Sequence, residues 1–458
     1  MEQKLTKKYG LFTAIAMVVG IVIGSGVFFK AQTILEKTGG DLVASILAWV
    51  FGGLIMVVCA TAFAVMATKY EKVGGIIDYA EALVGGEYAY YIGWFVATVY
   101  LPAMTGVLAW VSARYSVVFL NSVIPGFAEN PVTGPECMVL TLVFMVFSYV
   151  INALSPKLAG KFQITSTVVK LIPLVLMGIF GVIAGLSSGT LAENFAVQST
   201  VDDGRMSLFF TALVSTAFAY EGWIIATSIN AEIKNAKKNL PIALTVGSLI
   251  VVVICVMYNL GVAGGAPISE LLASEGPGVA FANIFGGKVG AILNLFIAIS
   301  CLGTLNGLML ASTRAMYSLA VRGRGPQKHL FTRIDEDTNM PTNSSIVGLL
   351  LVMFWFLYFY AGNLAGWCGD YGFDSSELPI ITTYAFYLPI YIMFMIKGKE
   401  FGVFKRFVLP ALAFGSSVFV VYAAVASHKM GVVYYLIVFA MFMFAGWLLD
   451  FKNKKALK

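Results

Sequence analysis

Apolar stretches recur from one end of this sequence to the other, with only short polar connections between them. Each is about 20 residues long, which is the length a helix needs to cross a hydrocarbon core roughly 30 Å thick. Hydrophobic residues make up 59% of the chain and charged residues 12%, so no stretch remains that would form a separate soluble domain. The sequence therefore predicts an integral membrane protein.

Twelve membrane-spanning segments can be placed along the chain. They are continuous apolar blocks, and this indicates helices, so we predict an all-α polytopic membrane protein with 12 transmembrane helices in one domain over residues 1–458. The predicted spans are 11–37, 41–68, 88–122, 135–153, 161–186, 206–232, 240–264, 285–320, 344–362, 376–396, 404–427 and 430–450.

Positive charges are distributed unevenly between the two sides that these spans define, and loops rich in Lys and Arg are retained in the cytoplasm. With the N-terminus inside, the outer segments carry only Lys30, Lys37, Arg205, Lys288 and Lys429. Three further cations lie within spans, and the remaining 22 of the 30 fall on the cytoplasmic side. We therefore expect a multi-pass protein of the plasma membrane with both termini cytoplasmic. The net charge of +6 follows from insertion into the lipid bilayer, and no nucleic-acid partner is expected.

Residues that carry enzymatic or metal chemistry are sparse. The five cysteines are scattered without paired spacing, which predicts neither a disulfide framework nor a metal site. The two histidines, His329 and His428, fall in connections on opposite sides of the membrane, and the sequence has no glycine-rich phosphate loop with a lysine. We therefore expect no catalytic residues, no metal and no cofactor. A membrane enzyme or a channel is the least favoured class.

Two predicted spans are interrupted by residues that weaken helices. The first contains "GIVIGSGVFF" (20–29), and the sixth contains "STAFAYEGW" (215–223). Unwound backbone survives at membrane depth only where protein surrounds it or where it lines a cavity. Taken alone, Gly20 and Gly24 also have the GxxxG spacing of close helix packing. The matching interruption in the sixth span favours a functional break.

The positions of the two interruptions predict a five-plus-five inverted repeat with discontinuous helices 1 and 6. At about 1.5 Å per residue, Gly24 lies about 21 Å along the first span and Glu221 about 22 Å along the sixth. Both breaks therefore fall near the middle of the membrane. Five spans return the chain on the opposite side, so the sixth span runs antiparallel to the first. The repeats would cover about 10–186 and 206–396, with helices 11 and 12 over about 404–450.

Two such breaks can bind an amino acid through backbone N–H and carbonyl groups. The N–H groups that open the second half of the first span suit a carboxylate, because they lie at the positive end of a helix dipole. They belong to Ser25, Gly26 and Val27. Carbonyl groups released beside the breaks suit an ammonium group. These belong to Ile21, Val22, Phe218 and Ala219. Glycine at 24 and 26 would let a ligand approach the backbone closely.

Several motifs resemble those of a known family. They are "GSGVF" in the first span, "FAYEGW" in the sixth followed by "EIKNAKKNLP" (232–241), and "SCLGTLNGLMLASTR" (300–314) with "RGRGP" (322–326). In order and spacing they are similar to the amino acid, polyamine and organocation (APC) superfamily permeases, nearest to the L-amino acid transporter branch. The resemblance covers essentially the whole chain. It implies a twelve-helix permease that exchanges or co-transports amino acids by alternating access, with the substrate carboxylate at Ser25 and Gly26.

The resemblance also implies roles for three other residues. Phe218 would be the aromatic gate that closes over the substrate, and Ala219 would help to bind the amine. Lys170 falls where sodium-independent members carry a lysine in place of the cation of sodium-coupled relatives. Its depth in the fifth span agrees with a functional role, because charges inside the membrane are costly. A structural role, in which Lys170 caps carbonyls of the broken first span, is open beside the coupling role.

Glu221 departs from the family pattern, since the exchangers of this branch often have glycine at that place. Three roles are open for its carboxylate. It can cap N–H groups at the start of the second half of the sixth span, it can bind and release a proton, or it can contact a cationic substrate.

The expected function is sodium-independent exchange of neutral L-amino acids by alternating access, and Lys170, Phe218 and Glu221 are the candidate coupling or gating residues. The alternative is a proton-coupled or antiporting carrier of cationic amino acids or polyamines. Eukaryotic members of the branch pair with a glycoprotein through a cysteine after the third span, whereas Cys137 here stands at the start of the fourth. No disulfide-linked glycoprotein subunit is therefore expected.

Overall fold

A computed structural model describes residues 10–70, 75–154, 156–201, 204–226, 233–274, 276–335 and 340–456. This described chain is helical nearly throughout and contains no β-strand. Helices are favoured because each backbone N–H and C=O inside a bilayer must bond within the protein, and a helix achieves this within one segment. The predicted cytoplasmic termini fall at residues 1–9 and 457–458, which lie outside the described residues.

Ten helices of the described chain are long and apolar enough to cross a membrane singly. They make this a multi-pass membrane protein, and each overlaps a predicted span. The ten helices are Leu42–Lys69, Gly86–Val123, Pro135–Leu154, Leu171–Ser188, Ala236–Gly265, Gly287–Val321, Thr342–Leu364, Leu378–Lys397, Phe404–His428 and Met430–Asp450.

Two further apolar segments are broken helices. The first broken helix consists of Leu11–Val22 and Gly26–Lys37, which meet at an angle of 47° and provide an eleventh crossing if the pair is one span. The second broken helix consists of Arg205–Ala219 and Trp223–Ala226. Its predicted end at residues 227–232 lies outside the described residues. The count of twelve spans and the inverted repeat therefore stay predictions.

The fifth span is also interrupted, which the sequence analysis did not predict. One helix covers Pro156–Val169 and the next begins at Leu171, with Lys170 between them in a turn. Pro173 has no N–H group to donate to the carbonyl of Val169, and this explains a local weakening of the helix. The Lys170 N–H still donates to the Ser166 carbonyl at 3.0 Å, so the hydrogen-bond pattern of the helix continues into this turn.

Short helices form several connections between the spans. They are Ile76–Leu83, Thr190–Ala196, Ile268–Ala273, Gly278–Phe285 and Lys328–Phe331. Four long helices also contain a π-helical turn, at Val96–Tyr100, Met177–Gly181, Phe359–Leu364 and Phe404–Val408.

The chain forms two compact units. The first unit comprises Met1–Ala89, Leu174–Ala280 and Ile380–Ser427, so it contains both broken helices. Within it, the Ala236–Gly265 helix packs along Leu42–Lys69 and along Leu11–Val22. Small residues allow this close approach, since a methyl group at Gly247 would lie 2.8 Å from a methyl carbon of Val18.

The second unit comprises Tyr90–Pro173, Phe281–Pro379 and His428–Lys458. Buried polar side chains join its helices, as expected for helix association in a membrane. The Thr105 and Ser312 hydroxyl oxygens lie 2.9 Å apart, and the Asn152 amide donates to the Asn306 side-chain oxygen at 2.9 Å. These bonds fix the relative positions of the long helices within this unit.

Candidate functional site

The first break lies where the glycines predict it. The Leu11–Val22 helix ends, Ile23 adopts an extended conformation with φ −66° and ψ 105°, and Gly26 begins the next helix. Glycine is less favourable than alanine inside a helix by about 1 kcal/mol. Two glycines at 24 and 26 therefore lower the free-energy cost of interrupting the helix here.

Backbone donors collect at the start of the Gly26–Lys37 helix. Phe28 and Phe29 donate to the Ser25 carbonyl at 3.1 and 3.0 Å, so the N–H groups of Ser25, Gly26 and Val27 precede the first intrahelical bond. The dipole of this helix places partial positive charge at the same end. Ser25 is 1% exposed, and electrostatic attraction to a bound anion is stronger away from bulk water.

Carbonyl groups collect on the other side of the first break. Ile21 and Val22 are the last two residues of the preceding helix, and the last carbonyls of a helix have no intrahelical donor. The Ile21 oxygen lies against Gly222, where an added methyl group would be 3.3 Å away. The acceptor end of the first break is thus directed at the second break.

The second break is a turn over Tyr220, Glu221 and Gly222. Gly222 has a φ of +104°, a backbone conformation that residues other than glycine rarely adopt. The Tyr220 N–H donates to the Thr216 carbonyl at 3.0 Å, and its hydroxyl donates to the Trp49 carbonyl at 2.8 Å. These bonds anchor the turn to the helix before it and to Leu42–Lys69.

The two breaks meet. A methyl group added at Gly26 would lie 2.7 Å from the Cα of Ala219 and 3.0 Å from the carbonyl oxygen of Phe218. Phe218 and Ala219 are both buried. The structure therefore brings the predicted donors of the first break beside the predicted acceptors of the second. The Glu221 N–H also approaches the Phe218 carbonyl at 3.5 Å, so this acceptor already has a donor nearby.

Glu221 lies in the second break and is half-buried. Its carboxyl group lies within electrostatic range of two tyrosines of the Leu378–Lys397 helix, Tyr384 and Tyr387. Both tyrosines are almost fully buried, so they belong to the interior of the first unit. The helix that Glu221 would cap begins at Trp223 and is described only to Ala226, and the capping role stays a prediction.

An aromatic cluster supports the second break from the side of Trp223. Phe63 is its centre, with ring centroids 5.4 Å from Trp223, 5.1 Å from Tyr387 and 5.5 Å from Tyr391. Trp223 and Tyr387 also contact each other at 5.5 Å. Three of these four contacts are edge to face, and such contacts favour one arrangement of the rings. The cluster therefore holds Trp223, the residue after Gly222, in place.

Lys30 is a residue of this site that the sequence analysis placed among the outer cations. Its side chain is 1% exposed, and its Nζ lies 4.9 Å from the ring centroid of Phe29 and 5.2 Å from that of Phe218. The spacing between Gly26 and Lys30 in the sequence could have indicated this position. Lys30 follows Gly26 by four residues, which places both on one face of a helix.

Lys170 belongs to the second unit. Its side chain is 4% exposed, in agreement with the predicted burial of this charge. The helix before it begins at Pro156, earlier than the predicted start at 161. Ser166, one turn before Lys170, packs against Gly303, where no room remains for a methyl group. This contact fixes the helix that carries Lys170 against the Gly287–Val321 helix.

Sequence comparison identifies the family to which this geometry corresponds. Residues 9–449 match the family described as amino acid permease. The serine/threonine exchanger SteT of Bacillus subtilis (strain 168) is 27% identical over 438 residues, which cover 94% of this chain and 93% of that protein.

Two human transporters are also similar. The cystine/glutamate transporter is 25% identical over 350 residues, covering 76% of this chain and 68% of the relative. The large neutral amino acids transporter small subunit 2 is 27% identical over 344 residues, covering 74% of this chain and 62% of the relative. These relatives are transporters and not enzymes, which removes the membrane enzyme from the functions considered above.

Proposed function

Because the chain belongs to the amino acid permease family, we propose that it is a sodium-independent secondary transporter that exchanges neutral L-amino acids by alternating access. The contact between the two breaks carries this proposal. Gly26 lies against Ala219 and Phe218, so one small zwitterion can reach helix N–H groups and released carbonyl groups together. Such paired half-helices at the membrane midplane are how broken-helix transporters hold their substrates.

The substrate carboxylate binds the backbone N–H groups at Ser25, Gly26 and Val27 in this proposal. The ammonium group binds the carbonyl groups on the other side of the breaks. These are the carbonyls of Ile21, Val22, Phe218 and Ala219. Gly24 carries no side chain that would keep the ligand from the backbone, and Gly26 lets the two breaks pack against each other. Recognition of the common part of every amino acid leaves selection to the surrounding side chains.

The residues around the breaks favour substrates with neutral side chains. The described neighbours are mostly aromatic and apolar, as the rings of Phe29, Phe218 and Trp223 illustrate. The name of a relative that matches 94% of this chain, a serine/threonine exchanger, agrees with small neutral substrates. The carboxylate of Glu221 supports the second candidate function, a proton-coupled or antiporting carrier of cationic amino acids or polyamines.

The proposed transporter has twelve spans arranged as two inverted repeats followed by two further helices. Twelve spans, with repeats over about 10–186 and 206–396 and two further helices, would place the broken helices in equivalent positions of two inverted halves. The uneven distribution of Lys and Arg supports cytoplasmic termini and a plasma-membrane location. Cys137 is fully buried, and this supports the absence of a glycoprotein linked through it.

A substrate panel in proteoliposomes tests the proposed function. Purified protein is loaded with unlabelled amino acid, and uptake of labelled alanine, serine, arginine and putrescine is measured with and without sodium and a pH gradient. We expect alanine or serine uptake to saturate, to be accelerated by neutral amino acid inside, and to be independent of sodium. Uptake of arginine or putrescine alone would overturn the proposal in favour of the cationic carrier, and uptake without saturation would indicate a channel.

Substitution of Glu221 separates the two candidate functions further. We expect Glu221→Gln to remove any pH dependence of uptake, because glutamine cannot release a proton. Exchange of neutral amino acids should change by no more than about fivefold, which corresponds to about one hydrogen bond. The measurement is initial uptake of labelled alanine between pH 5.5 and 8.5 in matched proteoliposomes. A pH profile identical in wild type and variant, and not flat, would assign the proton to another group.

A further inference from the structure

A buried cation lies one helical turn beyond the proposed carboxylate site. Lys30 follows Gly26 by four residues on the Gly26–Lys37 helix, about 6 Å further along its axis. Intramembrane charges are costly and persist where they serve a purpose. The carboxylate site itself is formed by backbone N–H groups in the proposed function, so this lysine is not needed to supply them.

Lys30 faces the ring of Phe218, which the resemblance to the permease family implies is the gate. Its Nζ lies 5.2 Å from the centroid of Phe218 and 4.9 Å from that of Phe29, and the two rings contact each other edge to face at 5.6 Å. A cation within about 6 Å of an aromatic face is attracted to it, with an effect of about 2- to 30-fold on an equilibrium. The ammonium group of Lys30 therefore stabilises the observed position of the Phe218 ring.

Two other contacts hold the same helix beyond the break. The Gln32 amide donates to the Leu271 carbonyl at 2.9 Å, and the Lys37 ammonium group donates to the Ser215 hydroxyl at 3.0 Å. Both contacts lie toward the predicted outer side, beyond Gly26. Lys30 thus contacts the ring of Phe218, whereas Gln32 and Lys37 make their contacts further toward the predicted outer side.

We propose that Lys30 is a positioning residue that holds Phe218 over the substrate when the outer side is closed and releases it when that side opens. This inference rests on the proposed function, with Phe218 as the gate that the family resemblance implies. An interaction made in one state of a carrier shifts the population toward that state. Its removal should increase the fraction of molecules open to the outside and decrease the fraction open to the inside.

The consequence is an asymmetry between the two sides of the membrane. Apparent affinity scales with the fraction of molecules in the competent state, so Lys30→Met should lower the half-saturation concentration outside relative to the one inside. We expect the outside-to-inside ratio to fall about 3- to 10-fold, within the range of a single cation–π contact. A general loss of folding changes the amount of active protein and leaves this ratio constant.

The test measures both half-saturation concentrations for alanine in proteoliposomes in which one orientation of the protein is inactivated. Lys30→Arg keeps a cation over the ring and should preserve the ratio. Lys288→Met removes an exposed outer cation of the other unit and should also preserve it. In a Phe218→Leu background, Lys30→Met should change the ratio no further, because the ring through which Lys30 acts is absent.

A wild-type ratio in transport-active Lys30→Met, or an equal change on both sides, would overturn the inference while leaving the proposed function in place. If Lys30→Met does not insert, Lys30→Gln removes the charge and retains most of the side-chain length, and the same outcomes apply. A wild-type protein that carries no amino acid in either direction would overturn the proposed function, and this inference would be lost with it.

Discussion

Gly26→Ala should reduce amino-acid exchange by about 10- to 100-fold, which corresponds to an overpacking cost of about 1–3 kcal/mol at the site. The added methyl group would lie 2.7 Å from the Cα of Ala219 and 3.0 Å from the carbonyl oxygen of Phe218. Both are backbone atoms, so no side-chain rotation can relieve the contact. The two breaks must move apart, and the N–H and carbonyl groups then no longer fit one ligand.

The matched control is Gly415→Ala, in a spanning helix of the same unit. A methyl group there would meet nothing within 4 Å, and exchange should stay at the wild-type level. Size-exclusion profiles in detergent would establish that both variants fold. Exchange at the wild-type rate in Gly26→Ala would contradict the close contact between the breaks.

Lys170→Ala should lower exchange by about tenfold or more while substrate binding changes little. Coupling free energies between sites are typically about 1–3 kcal/mol, or about 5- to 150-fold. Lys170 is buried in the membrane region and interrupts its helix. A lysine with a coupling role acts on the transport cycle, so its removal should affect exchange more than the binding of the ligand.

Two measurements test this prediction, alanine binding by isothermal titration and alanine exchange in proteoliposomes. Lys161→Ala is the matched control, because Lys161 is an exposed lysine of the helix that ends at Val169, and it should change neither quantity. Unchanged exchange in Lys170→Ala would refute the coupling role. Equal losses of binding and exchange would indicate that Lys170 has a structural role in maintaining the binding site.

The positions of the spans could be predicted because they depend on local composition. The predicted segment 135–153 corresponds to Pro135–Leu154 and the predicted segment 430–450 to Met430–Asp450, since each apolar block ends at polar residues or a turn. The interruption at Lys170 was missed. Its signal was Pro173, which cannot donate to the carbonyl four residues earlier, but a proline near a helix start is often accommodated without a break.

The two breaks could be predicted for the same local reason, because glycine at 24, 26 and 222 weakens a helix. Their contact with each other and the direction of Lys30 depend on how helices pack within the first unit. The four-residue spacing between Gly26 and Lys30 indicates a shared helix face but does not show which rings that face meets. An aromatic stripe such as Tyr384 and Tyr387 suits a lipid-facing, core or gating position, and only packing shows that both side chains are buried within electrostatic range of Glu221.

The central claim is that one receptor formed by both breaks binds the carboxylate and the ammonium group of an amino acid. Competition in alanine counterflow tests it most directly, with L-alanine, L-alaninamide and N-acetyl-L-alanine as competitors. Each analogue removes one charged group and leaves buried backbone partners unpaired, so both should compete at least about 100-fold more weakly than alanine. Competition by either analogue at the level of alanine would contradict the claim.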